Sequence, residues 1–338
     1  MPANAGAVPA ARASRSKAAP RAASLAPVAA PPAAPKAAPR EAAIQVSGLT
    51  KYYRKAVAVD GLSFEVPRGC VTGFVGPNGA GKTTTLRMLL GLIQPSAGEA
   101  RVLGHPITRP SAYLGRVGAL IESPAFYPHL SGARNLRALA ILGGFPTDRI
   151  PRLLEQVGLG GRGGDPYRMY SLGMKQRLGI AAALLPDPEL VILDEPTNGL
   201  DPAGIHEIRD FLRGLGDVGK TVFVSSHLLS EIERMCDHLV VVSQGRLLYQ
   251  GGLDGLVRQQ GIVLVAEDRR QHAALAALFR KAGHAVEEQG GTVLVRAPPA
   301  ASADLNRRAM AAGIALAELR PSAADLEETV LRMTGGKP

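Results

Sequence analysis

One string of eight residues has the composition of a loop that binds phosphate: Gly76-Pro77-Asn78-Gly79-Ala80-Gly81-Lys82-Thr83. Its glycines let successive backbone N–H groups converge on phosphate oxygens, and a following helix adds the positive end of its dipole. We expect Lys82 to reach the β- and γ-phosphates of a nucleotide, Thr83 to ligate Mg²⁺ through its hydroxyl, and Thr84 to line the same site. The alternative is a glycine-rich turn with a chance lysine, and the apolar run before it and the helical pattern after it disfavour that alternative.

Two acidic residues, Asp194 and Glu195, close an apolar run that begins at Leu190. Ligands bind at the carboxyl ends of strands in open α/β sheets, so both carboxylates are placed to face a nucleotide. We expect Asp194 to help hold Mg²⁺ and Glu195 to polarise the attacking water as general base. Paired acids after a strand also cap helices commonly. Only their combination with the phosphate loop favours the catalytic interpretation.

These residues need a sheet that brings strand ends together. The apolar run at 71–75 and the helical pattern at 82–92 place the phosphate loop inside a βα unit. Further apolar strands at 190–193, 221–225 and 239–242 are separated by helical stretches. This order predicts a largely parallel sheet covered on both faces.

The flanking regions have other patterns. Residues 43–67 have a short β-like pattern, with Asp60-Gly61 as the turn, which predicts a small antiparallel sheet. Residues 110–187 are mostly helical in pattern and are expected to form a lobe of their own. Beyond residue 251 the pattern is that of a compact α+β module with no catalytic constellation, for which we expect a role in coupling or regulation. Its predicted strands lie near 262–266, 285–287, 292–295 and 314–319, and its predicted helices near 271–282, 303–312 and 323–333.

Composition and charge narrow the class of protein. The chain has 338 residues, of which 46% are hydrophobic, enough for about two domains with a sizeable core. Its 39 basic and 29 acidic residues give a net charge of +10. Six of the basic residues lie in 1–40, a stretch dominated by alanine and proline with no acid, so we expect a disordered tail there. This tail is either an inert extension or an electrostatic tether to an anionic membrane surface.

The remaining 298 residues are nearly balanced in charge. With no tryptophan and 4% aromatic residues, the chain has little material for base stacking, so we expect no specific nucleic-acid partner. It has no run of 18 apolar residues and no apolar block of the signal-peptide type, so we expect neither a membrane span nor secretion. The two cysteines, Cys70 and Cys236, are far apart in sequence and fit a reducing compartment.

Residues 170–177, which read Tyr-Ser-Leu-Gly-Met-Lys-Gln-Arg, complete a set of motifs that resembles the ATP-binding subunit of an ABC transporter. They are similar to a variant of that family's signature sequence, with Leu172 and Met174 as departures. Ser171 is a good N-cap for a helix running to Leu185, whose start offers a hydroxyl and N–H groups to an anion. In this family the anion is the γ-phosphate bound to the other subunit. The resemblance therefore implies a head-to-tail dimer with two ATP molecules in its interface, across which Ser171 and Gly173 act.

Three further positions match the family in order. Gly199-Leu200-Asp201 resembles the D-loop, which aligns the opposing site, although a polar turn would read the same way. His227 matches the switch histidine that hydrogen-bonds the γ-phosphate and the attacking water; a structural histidine is the alternative. Tyr53 resembles the aromatic residue that stacks on adenine, and Tyr52 could do so instead.

Glu122 is the largest departure from the family pattern. The family normally has glutamine there, in contact with Mg²⁺, whereas glutamate recurs in the bacitracin and lantibiotic export branch that this segment resembles. A carboxylate would ligate Mg²⁺ as an anion and an amide as a neutral dipole, so the metal affinity and its pH response should differ. The alternative is a solvated loop acid.

The resemblance implies an α/β fold of the P-loop ABC type. We expect the ATP-binding domain at 41–250, with a mixed sheet core, an antiparallel β subdomain and a helical subdomain at 110–187, followed by a small C-terminal α+β domain at 251–338. The implied function is ATP hydrolysis by a dimer of this chain around two Mg-ATP, driving a separate transmembrane permease. The contact would run through the helical lobe near 122–127, at the cytoplasmic face of the membrane. Export of a peptide antibiotic, drug or lipid is implied at the level of the branch alone.

Two rival functions use the same phosphate loop. A soluble mechanical ATPase acting on nucleic acid or ribosomes would usually carry two ATPase units or a long inserted coiled coil. This chain has one phosphate loop, and only 87 residues separate Thr83 from Tyr170. A nucleotide kinase would leave the signature-like string and His227 unexplained.

Overall fold

The computed structural model of the chain describes residues 41–54, 56–122, 125–253 and 261–321. The tail predicted at 1–40 and the last helix predicted at 323–333 lie outside these residues. In the part of the chain that is described, no helix is both long and apolar enough to cross a membrane.

The described residues within 41–253 form ten strands and six α-helices, besides short 3-10 turns. The strands are β1 (Ala42–Tyr53), β2 (Ala56–Pro67), β3 (Val71–Val75), β4 (Ala97–Val102), β5 (His105–Pro106), β6 (Val117–Leu120), β7 (Leu190–Asp194), β8 (Thr221–Ser226), β9 (His238–Ser243) and β10 (Arg246–Gly252). The helices are α1 (Lys82–Leu89), α2 (Gly132–Gly143), α3 (Ile150–Gln156), α4 (Leu172–Ala183), α5 (Pro202–Asp217) and α6 (Leu229–Met235).

The central sheet has the strand order β10-β9-β3-β8-β7-β6. Its strands β9, β3, β8, β7 and β6 are parallel, and β10 joins β9 antiparallel at one edge. The largely parallel sheet predicted from the sequence is therefore confirmed. Because the strands are parallel, the loop after β3, the acids after β7 and the segment after β8 meet at one edge of the sheet.

A second sheet, with the order β2-β1-β4-β5, is antiparallel throughout and confirms the prediction for residues 43–67. The predicted turn is wrong, however, because Asp60-Gly61 lies inside β2. Leu49 pairs with Leu62 and Lys51 pairs with Val59. Asp60 and Gly61 therefore lie opposite the single residue Thr50, as in a β-bulge. Gly61 has a φ of 62° there, and its N–H donates to the Thr50 hydroxyl at 3.0 Å. The chain reverses after Tyr53 instead.

The stretch 110–187 is not helical throughout. Residues 117–120 form β6 and pair with β7 in the central sheet, which corrects the prediction of a helical lobe for this part. Gly118 allows α4 to approach, since a Cβ atom at this position would overlap the carbonyl oxygen of Ala183. A four-residue strand is too short to produce a clear periodic signal. Helix α4 ends at Ala183, two residues before its predicted end, and α1 ends at Leu89 instead of residue 92.

The two faces of the central sheet bury different partners, because neighbouring side chains on a strand point to opposite sides. On one face Phe74 and Phe223 stack 5.2 Å apart, and Phe64 of the antiparallel sheet packs on Phe74 at 5.6 Å. The other face, which includes Val191 and Val224, packs against the helices of the 132–183 region and against α5 and α6.

Residues 261–321 form a four-stranded antiparallel sheet with two helices. Its elements are β11 (Ile262–Ala266), α7 (His272–Lys281), β12 (Val286–Gln289), β13 (Thr292–Val295), α8 (Ser302–Ala311) and β14 (Leu316–Pro321), and its strand order is β12-β13-β11-β14. Leu264, Phe279 and Leu305 lie in a core cluster made of residues from this region alone.

Candidate functional site

The loop between β3 and α1 follows a path that excludes side chains at two of its glycines. A Cβ atom at Gly76 would lie 2.3 Å from the carbonyl oxygen of Val242, and one at Gly81 would lie 2.4 Å from that of Ala58. Gly81 also has a φ of 97°, which side-chain-bearing residues avoid. Two of the glycines predicted to open the loop to phosphate, Gly76 and Gly81, are thus also required by its packing.

Lys82 begins helix α1 and is 6% exposed. Its Nζ atom donates to the carbonyl oxygen of Gly76 at 2.7 Å and lies 3.2 Å from Oε1 of Glu195. The ammonium group is therefore held over the loop, where phosphate oxygens would replace these acceptors.

Thr83 and Asp194 are in direct contact. The Thr83 hydroxyl donates to Oδ2 of Asp194 at 2.7 Å, and the Ser225 hydroxyl donates to Oδ1 at 2.5 Å. Ser225 in turn accepts a hydrogen bond from the backbone N–H of Glu195 at 2.9 Å. Strands β7 and β8 are thereby joined at their carboxyl ends, and the buried Asp194 carboxylate has a fixed orientation.

Glu195 and His227 form the other pair at this edge. Oε2 of Glu195 lies 2.7 Å from Nδ1 of His227, the residue that follows β8. Glu195 has a φ of 47°, a left-handed conformation that is uncommon for a residue other than glycine. Lys82 and His227 therefore contact the two carboxylate oxygens of one residue.

A cavity of about 510 Å³ opens at this edge of the sheet. The predicted residues that line it are Tyr53, Asn78, Gly79, Ala80, Gly81, Lys82, Thr83, Thr84, Glu195 and His227. Of the two candidate aromatic residues, Tyr53 lines the cavity and Tyr52 does not. Lys51 places its ammonium nitrogen 5.4 Å from the Tyr53 ring centroid.

Two lining residues, Ala58 and Asn198, are missing from the sequence predictions. Asn198 lies three residues after Glu195 in a turn, and its N–H donates to the Glu195 carbonyl at 3.1 Å. Its nearness to Glu195 in the sequence could have indicated that it lines the same cavity. Ala58 reaches the cavity from β2 because the antiparallel sheet folds over the phosphate loop. Its residue type gives no signal.

Three predicted residues lie away from the cavity at the starts of helices. Ser171 caps α4, with its Oγ atom accepting from Met174 N at 3.3 Å. Asp201 caps α5 in the same way, with Oδ1 accepting from Gly204 N at 3.1 Å. A Cβ atom at Gly173 would lie 3.6 Å from the Leu200 side chain, so the two helix starts adjoin. Ser171, Gly173 and Asp201 do not reach the cavity of their own chain.

Glu122, predicted as a metal ligand, forms an ion pair with Arg87 in the last turn of α1. Its side chain is 62% exposed and does not line the cavity. Gly76, Pro77 and Asp194 also do not line it, although Gly76 and Asp194 contact residues that do.

The fold and this edge of the sheet define a class of protein, a P-loop enzyme with a phosphate loop, a general-base candidate and a histidine at one cavity. A family model described as ABC transporter matches residues 59–198. The bacitracin transport ATP-binding protein BcrA of Bacillus licheniformis is 39% identical over 298 residues, which covers 87% of this chain and 97% of that protein. The lantibiotic transport ATP-binding protein SrtF of Streptococcus pyogenes is 38% identical over 212 residues, 63% of this chain and 92% of that protein. This chain belongs to the ABC transporter ATP-binding family.

Solved structures agree with this assignment. A structure described as the ATP-binding subunit of an ABC transporter is 32% identical, with a TM-score of 0.58, and covers 64% of this chain and 92% of its own. A dimeric ATP-binding cassette in a post-hydrolysis state with ADP and Pi has a TM-score of 0.56 and covers 62% of this chain and 98% of its own. At 22% identity the second likeness concerns the fold.

These findings confirm the predicted family, the fold class, ATP binding and ATP hydrolysis, and they favour the transporter subunit over the soluble mechanical ATPase. The individual roles of the site residues stay predictions.

Proposed function

We propose that two copies of this chain enclose two ATP molecules, each copy supplying part of both reaction centres. The main observation in support is that the predicted site residues lie in two separate places on the chain. Lys82, Glu195 and His227 share one cavity, whereas Ser171 and Gly173 lie outside it at an exposed helix start. An exposed N-terminus with its hydroxyl and N–H groups suits an anion brought by a second copy.

Within each centre, the residues have separate tasks. Lys82 would exchange its contact with Gly76 for the β- and γ-phosphates, and Tyr53, which also lines the cavity, would contact the adenine ring. Glu195 would orient the attacking water and accept its proton, with His227 at 2.7 Å fixing that carboxylate and contacting the γ-phosphate.

Thr83 and Asp194 fit Mg²⁺, because both offer the oxygen ligands that this ion prefers and they lie within 2.7 Å of each other. Over the described ranges, no group of three or more His, Cys, Asp or Glu side chains could hold a metal. An ion held by two protein oxygens together with phosphates and water does not need such a group. Held by Thr83 and Asp194, the ion would supply positive charge to the phosphate oxygens of the nucleotide. Glu122 would join the set only after its ion pair with Arg87 opens.

We also propose that the dimer drives a separate membrane permease from the cytoplasmic face of the membrane. The region 125–185 exposes large apolar side chains at Tyr127, Ile141, Leu142 and Met169, which suits contact with another protein. Transported substrates of the bacitracin or lantibiotic type are proposed from the printed names of the relatives, with export as the direction.

The domain division is part of the same proposal. We assign residues 1–40 to a tail, 41–250 to the ATP-binding domain and 251–338 to an accessory domain. The separate core cluster of residues 262–314 supports the last boundary.

The dependence of ATPase activity on protein concentration tests the shared reaction centre. If two copies form each centre, the rate per chain rises with protein concentration until the dimer saturates, and chelation of Mg²⁺ abolishes it. If the rate per chain instead stayed constant over a hundredfold range of protein concentration, down to the lowest concentration that can be assayed, the proposal would be contradicted. The Ser171→Ala variant, assayed over the same range, should stay inactive.

A further inference from the structure

Glu231 is a buried carboxylate that none of the roles above uses. It lies in α6 and is 6% exposed, and its Oε2 atom accepts a hydrogen bond from the Thr197 hydroxyl at 2.7 Å. Its Oε1 atom is buried with no hydrogen-bond partner among the residues described. Because a buried polar atom without a partner lowers stability, packing alone gives no reason for a glutamate at this position.

Thr197 belongs to the turn that carries Glu195. This turn is closed by the Asn198 N–H, which donates to the Glu195 carbonyl at 3.1 Å, and the Leu200 N–H, which donates to the Thr197 carbonyl at 3.2 Å. Glu195 has the left-handed φ of 47°, a conformation that persists only where the surroundings hold it. The side-chain bond from Thr197 to Glu231 is one of the contacts that hold this turn.

Glu231 also adjoins the segment that carries His227. The Ser226 hydroxyl lies 3.4 Å from the same Oε2 atom and accepts a hydrogen bond from Leu228 N at 2.9 Å. Ser226 directly precedes His227, and α6 begins two residues after it. One carboxylate oxygen is therefore placed between the turn with Glu195 and the segment with His227.

We propose that Glu231 is a positioning residue for ATP hydrolysis, which holds Glu195 and His227 in register through Thr197 and Ser226. The proposal rests on the roles proposed above for Glu195 and His227. Glu231 and Thr197 do not line the cavity, so nucleotide affinity should not depend on their bond. The rate should depend on it, because a shift of about 1 Å in a reacting group can lower a rate about a hundredfold.

The experiment compares kcat and KM for ATP in the full chain and in three variants, together with ADP affinity. Glu231→Leu keeps the bulk of the side chain but cannot accept the Thr197 bond, and Thr197→Val cannot donate it. Both should lower kcat at least about tenfold and leave KM and ADP affinity within about threefold. Glu231→Gln still offers a carbonyl oxygen to Thr197 and should retain kcat within about threefold of the unaltered chain.

Thr221→Val is the matched control, because it removes another buried hydroxyl, which accepts from Gly69 N at 3.0 Å on the opposite end of β8. It should leave kcat unchanged. Unaltered kcat in Glu231→Leu, equal losses of kcat and ADP affinity, or no rescue by Glu231→Gln would overturn the inference. The Glu195→Gln variant distinguishes failure of this inference from failure of the proposed function. If Glu195→Gln hydrolyses ATP normally, the general-base role of Glu195 itself is wrong.

Discussion

The Glu195 carboxylate is held by Lys82 and His227, the two groups that are proposed to engage a nucleotide. Oε1 lies 3.2 Å from the Lys82 ammonium and Oε2 lies 2.7 Å from the His227 ring. A left-handed backbone at such a residue costs about 1–3 kcal/mol and is retained where function requires it. Under the proposed mechanism, phosphate entering the loop would draw Lys82 away, and the Glu195 carboxylate would keep its contact with His227.

Lys82→Ala should weaken nucleotide binding at least about a hundredfold. The reason is that charge-assisted hydrogen bonds contribute about 1.5–3 kcal/mol each, and two phosphates share this ammonium group. Titration with a fluorescent ATP analogue measures the affinity, with Lys220→Ala as the control because Lys220 pairs with Asp187 instead. An affinity within threefold of the unaltered chain would remove Lys82 from the site.

The pH dependence of stability should depend in part on His238. Burial lowers the pKa of His238 below its ordinary value of 6.5, and its Nδ1 atom has no hydrogen-bond partner within the described ranges. As the pH falls through 6.5, the unfolded chain binds a proton before the folded chain does, so the free energy of unfolding decreases. The decrease stops below the folded-state pKa, where both states are protonated.

Urea unfolding between pH 8 and pH 5 checks this expectation against the His238→Asn variant. The unaltered chain should lose more stability on acidification than the variant does. Parallel curves would show that the folded state titrates this histidine normally.

Among the helices, α2 and α4 both begin with a serine N-cap, but the two caps lie in different parts of the sequence pattern. Ser131 caps α2 by accepting from Arg134 N at 3.2 Å, and Ser171 caps α4 by accepting from Met174 N at 3.3 Å. Only the second helix start belongs to the signature-like string. Comparing variants of Ser131 and Ser171 therefore distinguishes the contribution of an N-cap to stability from the proposed contact of Ser171 with ATP.

Ser131→Ala and Ser171→Ala should each lower the free energy of unfolding by about 1 kcal/mol, the usual value of an N-cap. Only Ser171→Ala should abolish ATPase activity, since Ser131 has no place in the proposed reaction centre. Chemical denaturation and an ATPase assay on the same preparations measure both quantities. Equal ATPase losses in the two variants would mean that the cap acts through stability.

Some of the secondary-structure elements could be predicted from the sequence and others could not. Strands β3, β7, β8 and β9 could be predicted because each is a buried apolar run, and the phosphate loop because its residue spacing is diagnostic. Strand β6 could not, because four residues with a glycine carry little pattern. Asp60-Gly61 predicts a turn although it lies in a bulge, because turns and bulges favour the same residues. Ala58 at the cavity and the Glu122–Arg87 pair follow from tertiary packing, which local patterns do not encode.

At the scale of the whole molecule, the described residues bury their apolar side chains in three clusters. Two lie on opposite faces of the central sheet, and the third lies within residues 262–314. The described residues that line the cavity all lie within 53–227, outside the third cluster. Activity should accordingly not require the tail at 1–40.

Deletion of residues 2–40 should leave the ATPase rate within about twofold of the full chain, because the described residues that line the cavity or cap α4 and α5 all lie within 53–227. The rate is measured at equal protein concentration, with Lys82→Ala in the full chain as the baseline. A large loss would show that the tail contributes to catalysis or to pairing of the subunits.

The most direct test of the shared reaction centre is the oligomeric state of Glu195→Gln in Mg-ATP, measured by size-exclusion chromatography with light scattering. A shared reaction centre requires a stable dimer with ATP, a monomer without nucleotide, and no dimer when Ser171→Ala is added to Glu195→Gln. A Glu195→Gln chain that stays monomeric in Mg-ATP while it continues to hydrolyse ATP would contradict it.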